Sequence, residues 1–192
     1  MNILITGALG HIGSSLLRYL PSKYNFENIY LVDNFVSNRY YSLFRLKKNN
    51  YEFYELDISK KFSDKIFKKI DLVIHLAAKT DAAQSSKFKK EFYNNNFNAT
   101  KNIVELCNKK SSKLIFASST SVYGPQTNVV DENCKNSDLN PQSPYAHVKL
   151  KEEIILQKNK NKLKFVTFRF GTITGTSKGM RFHTAVNKFC LN

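Results

Sequence analysis

The stretch TGALGHIG at residues 6–13 constrains the fold of this chain more than any other feature of its sequence. It lies between the apolar run Asn2–Thr6, which is typical of a buried strand, and His11–Leu20, whose apolar residues share one helical face. Glycines at such a junction permit a tight turn, close strand–helix contact and the approach of an anion to the helix N-terminus. The segment therefore predicts a pyrophosphate-binding loop. Its candidate contacts are Gly7, Gly10, His11, Ile12 and Gly13.

An acidic residue at the end of the second predicted strand strengthens this prediction. Asp33 closes the run Asn28–Asp33, twenty residues after the last loop glycine, where a carboxylate can accept both hydroxyls of an adenosine ribose. It would repel a 2′-phosphate, so the pattern favours NAD over NADP; an aspartate that only caps a turn is the alternative. Asn34 and Ile58 are further candidates for cofactor contact. Asp57, after the third strand, fits adenine contact and turn capping equally well.

Apolar runs alternate with helix-like segments along the chain, a pattern typical of a parallel α/β sheet. The predicted strands are Asn2–Thr6, Asn28–Asp33, Tyr51–Leu56, Leu72–Leu76, Lys113–Ser118 and Leu163–Arg169. The predicted helices are His11–Leu20, Phe92–Lys109 and Tyr145–Lys160, and the Asn-, Ser- and Pro-rich segment Gln126–Pro144 is predicted to be an irregular loop. Because six strands make a complete doubly wound sheet, we expect a Rossmann-type α/β fold with helices on both faces.

The composition fits a folded globule. With 192 residues, 42% of them hydrophobic, the chain can bury the core of one domain with part of a second. Its apolar stretches are shorter than the roughly 20 residues that span a bilayer, and its N-terminus lacks the basic leader of a signal peptide. We therefore expect a cytoplasmic protein with no membrane partner. Three separated cysteines, Cys107, Cys134 and Cys190, predict free thiols and no metal.

The formal net charge of +15 is consistent in principle with an anionic partner such as nucleic acid. The lysines, however, are scattered with asparagines through most surface segments rather than clustered beside aromatic residues. This distribution favours a solvated surface, so we expect no nucleic-acid partner. The same lysines could also attract dianionic ligands over a long range.

A tyrosine and a lysine four residues apart are candidates for acid–base chemistry. On a helix, Tyr145 and Lys149 lie on one face, where the ammonium favours the phenolate, so that the tyrosine can accept a proton from a hydroxyl group. This spacing is common by chance. A hydroxyl cluster at residues 118–121, however, ends the fifth predicted strand, where an open α/β sheet binds ligands. There, Ser119 can hydrogen-bond the oxygen that loses its proton.

Five motifs in this order resemble the extended short-chain dehydrogenase/reductases, in particular the NAD-dependent sugar epimerases and dehydratases. They are TGxxGxxG, Asp33 at the second strand end, HLAA at 75–78, SSxxVYG from Ser118, and PxSPYxxxK ending at Lys149. The match runs from Met1 to about Gly175. It implies bound NAD, a nucleotide-diphosphate sugar as substrate, and family homodimers as a precedent.

The resemblance also implies roles for individual residues. Ser119, Tyr145 and Lys149 would be the catalytic triad, with Lys149 also holding the nicotinamide ribose. Asn96 matches a helix asparagine near the active site, although a plain polar helix residue is the alternative. His75 is more typical of a core histidine than of a ligand. The ribose and pyrophosphate of NAD would be lined by Leu76, Ala77, Ala78 and Lys79.

Two departures from the resemblance narrow the reaction. Thr120 and Ser121 stand where the 4,6-dehydratases carry an acid pair, which disfavours such a dehydratase and leaves Ser119 and Thr120 as candidate substrate contacts. The segment after the last strand, residues 169–175, differs from the Asn-Val-Tyr-Gly of the epimerases and leaves the sugar open. The resemblance thus favours a 4-epimerase-like enzyme. An oxidoreductase, dehydratase or decarboxylase of the family and a non-catalytic NAD-binding protein are the alternatives.

The end of the chain suggests a second region. We expect residues 1–175 to form the NAD-binding domain with the catalytic residues, and 176–192 to begin an incomplete substrate-binding region. There Arg181 could contact a diphosphate and Asn187 a sugar or phosphate; a basic helix face is equally consistent. Because chains of the resembled family continue into a second lobe, we expect this chain alone to bind NAD without turning over a sugar nucleotide.

Overall fold

The computed structural model describes residues 1–47, 50–81, 85–127, 129–182 and 184–190. At its centre lies a sheet of six parallel strands, in the order β3-β2-β1-β4-β5-β6. The strands are β1 Asn2–Thr6, β2 Asn28–Asp33, β3 Tyr51–Glu55, β4 Leu72–His75, β5 Lys113–Ser119 and β6 Phe165–Phe170. The described α-helices are α1 His11–Lys23, α2 Lys89–Lys110, α3 Pro144–Lys158 and α4 Ala185–Phe189. This strand order confirms the predicted Rossmann-type fold.

The predicted elements are present, with shifted ends. β3 and β4 each end one residue earlier than predicted, so that Leu56 and Leu76 leave the sheet at its C-terminal edge. β6 begins at Phe165 rather than at Leu163, because the N–H of Leu163 still bonds to the carbonyl of Asn159 at the end of α3. The segment predicted as a loop contains a short 3₁₀ turn, Asn136–Asp138.

The last residue of that predicted loop, Pro144, belongs to α3. The helix begins there because the side chain of Ser143 accepts a hydrogen bond from the N–H of Ala146 at 3.1 Å, and because proline is favoured at a first helical position. The start of α3 therefore follows from local sequence, and it places Tyr145 in the first helical turn.

Alternate residues of the central strands supply two cores, one on each face of the sheet. Ile3 and Ile5 of β1 pack in a cluster with Leu17 of α1, whereas Leu4 packs in the opposite cluster with residues of α2 and α3, such as Ile103 and Leu156. Each of these side chains is almost fully buried. Full burial of such a side chain stabilises by about 1.5–3 kcal/mol, so the period-two pattern of β1 holds helices on both faces.

An ion pair joins the last strand to α3. The guanidinium of Arg169 on β6 contacts both carboxylate oxygens of Glu153, at 3.1 Å and 2.7 Å, and Ser118 of β5 donates to the same carboxylate. These contacts fix α3 against the C-terminal edge of the sheet. Among the residues that the structure describes, no helix is both long and apolar enough to cross a membrane.

Two loop glycines let three backbone segments meet at this edge. A Cβ on Gly13, in α1, would lie 2.4 Å from the carbonyl oxygen of Gly7 and 2.6 Å from that of Ala8. Gly7 has a φ of +65°, and its Cβ would lie 2.7 Å from the backbone nitrogen of Ala77, just after β4. Any side chain at either position would therefore separate β1, β4 and α1.

Replacement of Gly13 by alanine should destabilise the protein, although alanine is the better helix former by about 1 kcal/mol. The clash with backbone atoms outweighs that gain, and we expect a net loss of about 1–3 kcal/mol in the free energy of unfolding. The matched control is Gly171→Ala, since no atom of the described residues, apart from its chain neighbours, lies within 4 Å of a Cβ there. Urea unfolding measures both; a Gly13→Ala protein as stable as the parent would contradict the packing described.

Candidate active site

The glycine loop leaves the N-terminus of α1 open to a cavity of about 680 Å³. Gly10 is the N-cap residue, and α1 has no capping side chain. The N–H of Gly10 donates to the carbonyl of Gly7 at 3.1 Å, which closes the turn and exposes the helix end. An uncapped helix N-terminus favours anions. All predicted loop contacts line this cavity: Gly7, Gly10, His11, Ile12 and Gly13.

A second cavity, of about 500 Å³, adjoins the first above the ends of β2 and β3. Asp33 lines it, and the carboxylate of Asp33 accepts the N–H groups of Leu9 and Phe35, each at 3.1 Å. Burial raises the pKa of Asp33, while these N–H bonds and the charge of Arg39 oppose that change. Arg39 lines the same cavity. The carboxylate is thus oriented and partly shielded from solvent.

Other residues predicted to contact the cofactor also lie in the second cavity, among them Asn34, Ile58 and Lys79. Asp57 lines it as well, but one oxygen of its carboxylate accepts the N–H and O–H groups of Ser59 at 3.0 Å and 2.6 Å. Asp57 therefore caps the turn after β3 and, at the same time, faces the cavity. Leu76 and Ala78 line both cavities and Ala77 the second.

Ser119, Tyr145 and Lys149 line the larger cavity together with Thr120. Tyr145 and Lys149 come from successive turns of α3, and Ser119 is the last residue of β5. The oxygen of Ser119 accepts both the N–H and the O–H of Ser121, at 3.2 Å and 2.9 Å. Because those bonds occupy its acceptor sites, the Ser119 hydroxyl is left to act as a donor.

The ammonium of Lys149 is almost completely buried. It donates to the carbonyl of Ala117 at 3.1 Å and lies 3.1 Å from Oε2 of Glu152, one turn further along α3. The contact with Glu152 is an ion pair rather than an aligned hydrogen bond. The ammonium also lies 4.8 Å from the ring centre of Phe116. Lys149 is therefore held by two oxygens below the cavity that it lines.

Glu152 connects in turn to a buried chain of polar side chains that leads to β4 and β1. Its other oxygen, Oε1, accepts the hydroxyl of Thr100 at 2.5 Å, and the Thr100 oxygen lies 3.1 Å from Nε2 of His75. Nδ1 of His75 lies 2.7 Å from the hydroxyl of Thr6. Burial, with a smaller effect of Lys149, lowers the pKa of His75 to about 3. His75 is thus a neutral core histidine, as predicted.

Asn96 is fully buried and is not among the described residues that line either cavity. Its side-chain oxygen accepts the N–H of Lys79 at 2.8 Å, and its amide nitrogen donates to the Lys79 carbonyl at 2.9 Å. The side chain of Lys79 itself pairs with Glu91. Asn96 therefore shapes the loop after β4.

Residues 175–181 fold back over the glycine loop. Nε2 of His11 bonds to the carbonyl of Gly175 at 2.9 Å, and the N–H of Gly179 donates to the hydroxyl of Ser14 at 2.7 Å. This path places Arg181 at the junction of the two cavities, where burial, followed by the charge of Arg39, lowers its pKa.

Asn187 does not line either cavity among the described residues. Its amide is buried and ties two backbone groups together: it accepts the N–H of Gly175 at 3.3 Å and donates to the carbonyl of Arg181 at 2.8 Å. The geometry favours support of the Arg181 segment over direct contact with a ligand.

The sequence reasoning missed several residues of the site. Glu152 carried a detectable signal, because it lies three residues after Lys149 on a predicted helix. Arg39 and Asp81, which line the second cavity, carried no such signal, because no local sequence pattern shows that a loop side chain lies beside a strand end that is distant in sequence. Other missed lining residues of the larger cavity are Thr80, Gln142, Ser143 and Thr184. The segment after the last predicted strand, which is expected to pass the nicotinamide, contributes Phe170, Thr172 and Ile173.

These features fit NAD. The uncapped start of α1 suits a pyrophosphate, and the carboxylate of Asp33 suits the hydroxyls of a ribose. The two cavities adjoin at the glycine loop, as the two halves of a dinucleotide require. The fold and site define a Rossmann-type NAD-binding protein whose cofactor cavity contains a serine, a tyrosine and a lysine. A family model described as NAD dependent epimerase/dehydratase family matches residues 3–190. The chain belongs to that family.

Individual relatives lie in both branches of that description. The dTDP-D-glucose 4,6-dehydratase of Dictyostelium discoideum is 36% identical over 81% of this chain and 39% of its own length. The UDP-glucose 4-epimerase of Mycoplasma genitalium is 30% identical over 90% of this chain and 53% of its own. Among solved structures, UDP-glucuronic acid 4-epimerase from Bacillus cereus, in complex with UDP-glucuronic acid and NAD, superposes with a TM-score of 0.85. It is 30% identical and covers 97% of this chain.

The shared region is only part of these proteins. The chain spans 39% and 53% of the two curated relatives and 61% of the Bacillus cereus epimerase. The similarity therefore covers the NAD-binding fold of those proteins. The substrates in their names are those of the longer polypeptides.

Asp33 should make the protein bind NAD more tightly than NADP. A hydrogen bond to a charged group contributes about 1.5–3 kcal/mol, so we expect a preference of at least about tenfold. Asp33→Ala should reduce or reverse it, because Arg39 in the same cavity would then attract a 2′-phosphate. The preference is fully present above the raised pKa of Asp33 and should be lost as pH falls through that pKa.

Calorimetric titration with both cofactors measures this preference. Asn34→Ala is the matched control, since it removes a neutral side chain from the same cavity and should leave the NAD/NADP ratio unchanged. Equal or stronger binding of NADP by the parent protein would show that Asp33 only caps a turn.

Proposed function

We propose that this chain provides the NAD-binding and proton-transfer part of a nucleotide-sugar epimerase of the 4-epimerase type. The observation that supports this most directly is the lining of the larger cavity. Ser119, Tyr145 and Lys149 share it with the hydroxyls of Thr120 and Ser121, and no aspartate or glutamate is among its described lining residues. One phenol supported by hydroxyl groups suffices for the proton transfer in reversible oxidation of an alcohol, for which NAD would supply the hydride acceptor. Elimination of water from a keto sugar would call for a further acid.

In the proposed reaction Tyr145 is the proton acceptor. Its phenolate takes the proton of a sugar hydroxyl, while Ser119, whose acceptor sites are occupied by Ser121, donates its own O–H to the same oxygen. The ammonium of Lys149 favours the phenolate by its charge. Bound NAD would supply reversible hydride transfer at the sugar carbon. Tyr145 then gives its proton back to the sugar oxygen, so the protein ends in its starting protonation state.

Inversion requires that the sugar present its other face to the returning hydride. The cavity of about 680 Å³ is within the range of small-molecule sites, and we propose that the keto sugar turns there beside the bound cofactor. No external redox partner is then needed, because the hydride returns to the same carbon. This distinguishes an epimerase from a net oxidoreductase, which would release reduced cofactor.

The proposal includes the division into residues 1–175, which bind NAD and carry the proton-transfer groups, and 176–192, which begin the substrate region. Arg181, at the junction of the cavities, is positioned to favour a diphosphate. Asn187 contributes by holding the Arg181 backbone. We further propose a cytoplasmic enzyme of carbohydrate biosynthesis that can act as a homodimer.

A dehydratase is the second candidate, because the dehydratase of Dictyostelium discoideum is 36% identical over most of this chain. The two activities differ in their products. An epimerase yields an isomer of the same mass, whereas a 4,6-dehydratase yields a keto sugar that has lost water. Incubation with NAD and a panel of UDP-, GDP- and dTDP-sugars, followed by mass and stereochemical analysis of the products, separates them. An epimer without accumulated reduced cofactor is the expected product.

The expectation that the 192-residue chain alone binds NAD without measurable turnover stays a prediction, and the same panel tests it. Orientation of the reacting carbon can supply about 7–11 kcal/mol of a barrier, and groups that hold the remote nucleotide provide much of that orientation. Epimer formation by this chain at ordinary enzyme rates would contradict the prediction and would directly support the proposed activity.

Tyr145→Phe should lower turnover by about 10²–10⁴-fold and leave NAD affinity unchanged, because it deletes the proton acceptor and little volume. Lys149→Ala should lower both, since Lys149 acts on the phenol and on the cofactor. Binding is titrated with the 192-residue chain. Because the 192-residue chain alone is not expected to turn over a sugar nucleotide, turnover is measured in a longer polypeptide that includes residues 1–192 and is active. Unchanged turnover in Tyr145→Phe would mean that another group accepts the proton.

A further inference from the structure

Glu152 is a buried carboxylate beside the cofactor cavity for which the reaction above has no use. Its side chain is 1% exposed, and that of Lys149 is 4% exposed. A carboxylate so far from water is costly unless a partner compensates its charge. The partner is the Lys149 ammonium, 3.1 Å away. Glu152 does not line the cavity among the described residues, so it can reach a ligand only through Lys149.

The polar chain behind Glu152 has one self-consistent direction. Since the carboxylate is an acceptor only, the Thr100 hydroxyl must donate to it, and Thr100 must then accept the N–H at Nε2 of His75. Nδ1 of neutral His75 therefore accepts from Thr6, and the Thr6 oxygen accepts the N–H of Ala77 at 3.3 Å. Every donor along this chain points toward Glu152.

This direction fixes the position of Glu152, because its carboxylate terminates a row of donors that starts at the cofactor-binding loop after β4. Lys149 has three N–H donors. One bonds to Ala117, and the ion pair with Glu152 holds the ammonium in place without an aligned hydrogen bond. An N–H donor therefore remains for the cavity that Lys149 lines.

We propose that Glu152 is the positioning residue of Lys149: it keeps the buried ammonium charged and holds it with one N–H directed to the nicotinamide half of bound NAD. The proposal rests on the role assigned to Lys149 in the proposed function. It does not depend on which sugar is converted, or on whether one is converted at all.

The groups that surround this pair are few. Tyr145 and Glu153 lie on α3 itself, and His75 faces the pair from the end of β4. α2 contributes the uncharged Thr100. Arg169 of β6 pairs with Glu153. Glu152 is thus the carboxylate that contacts Lys149, and the neighbouring Glu153 has its own cation.

The test is the pH dependence of NAD binding, with NAD as the only ligand. In Glu152→Gln the ammonium loses its counter-ion, and burial then favours the neutral amine. The ratio of variant to parent dissociation constants should therefore rise with pH between about pH 6 and about pH 9, to roughly tenfold, the loss of one charged hydrogen bond. Glu152→Asp keeps the charge and should restore a flat ratio.

Two controls separate positioning from general stability. Glu153→Gln removes an adjacent buried carboxylate and its pair with Arg169; it should lower the melting temperature and leave the ratio flat. In a Lys149→Met background, Glu152→Gln should cause no further change in NAD affinity at any pH. A purely structural Glu152 would still weaken binding in that background.

A flat ratio in folded Glu152→Gln, or the same rise in the Lys149→Met background, would overturn the proposal. If Glu152→Gln alone does not fold, the expected cause is the buried ammonium of Lys149, which has lost its counter-ion. The double variant Lys149→Met/Glu152→Gln lacks that ammonium and should therefore fold. Failure of the double variant to fold would also overturn the proposal. Absence of sugar turnover would count against the epimerase proposal only, since every measurement here uses NAD alone.

Discussion

The close approach of three backbone segments at the C-terminal edge of the sheet is the constraint on which the rest of the molecule depends. β1, the start of α1 and the loop after β4 meet with no side chain between them, because Gly7 and Gly13 occupy the two crossing points. This contact exposes the start of α1 at the edge of the sheet rather than burying it. It also brings the loop after β4 beside the glycine loop, so that the two cavities adjoin.

The second requirement is that α3 be fixed to the same edge, since it carries Tyr145 and Lys149. Two adjacent glutamates meet this requirement in different ways. Glu153 binds Arg169 and Ser118, and so joins the helix to β6 and β5. Glu152 binds Lys149 and, through Thr100, the polar chain that leads to β4 and β1. Removal of one partner of a buried ion pair costs about 3–5 kcal/mol of the free energy of unfolding. Replacement of either glutamate alone should therefore destabilise the protein.

The parts of this structure that sequence could predict are those set by local pattern. The strands were predictable because each is a short apolar run, and Asp33 because a strand end and a glycine loop fix its distance in sequence. The start of α3 at Pro144 was missed by one residue, although Ser143 and Pro144 are local signals. Asn96 and Asn187 were placed near ligands on resemblance, whereas both hold backbone groups. Glu152 could have been noticed from its spacing of three residues from Lys149 on a predicted helix. Arg39 depends on tertiary packing, which no local period encodes, and so its place at the site could not be predicted.

Charged side chains are scattered over the surface of the protein but have defined places in the two cavities. The formal charge of +15 comes from lysines spread along the chain, but the two cavities differ in their carboxylates. Among the described residues, the larger cavity is lined by the cations Lys149 and Arg181 and by no carboxylate, whereas the second is lined by Asp33, Asp57, Asp81 and Glu91 together with the cations Arg39, Lys79 and Arg181. A dinucleotide needs both: cations and helix N–H groups for its phosphates, and carboxylates for ribose hydroxyls. The excess of surface lysines can raise the rate of encounter with an anion, but only this local division can orient it.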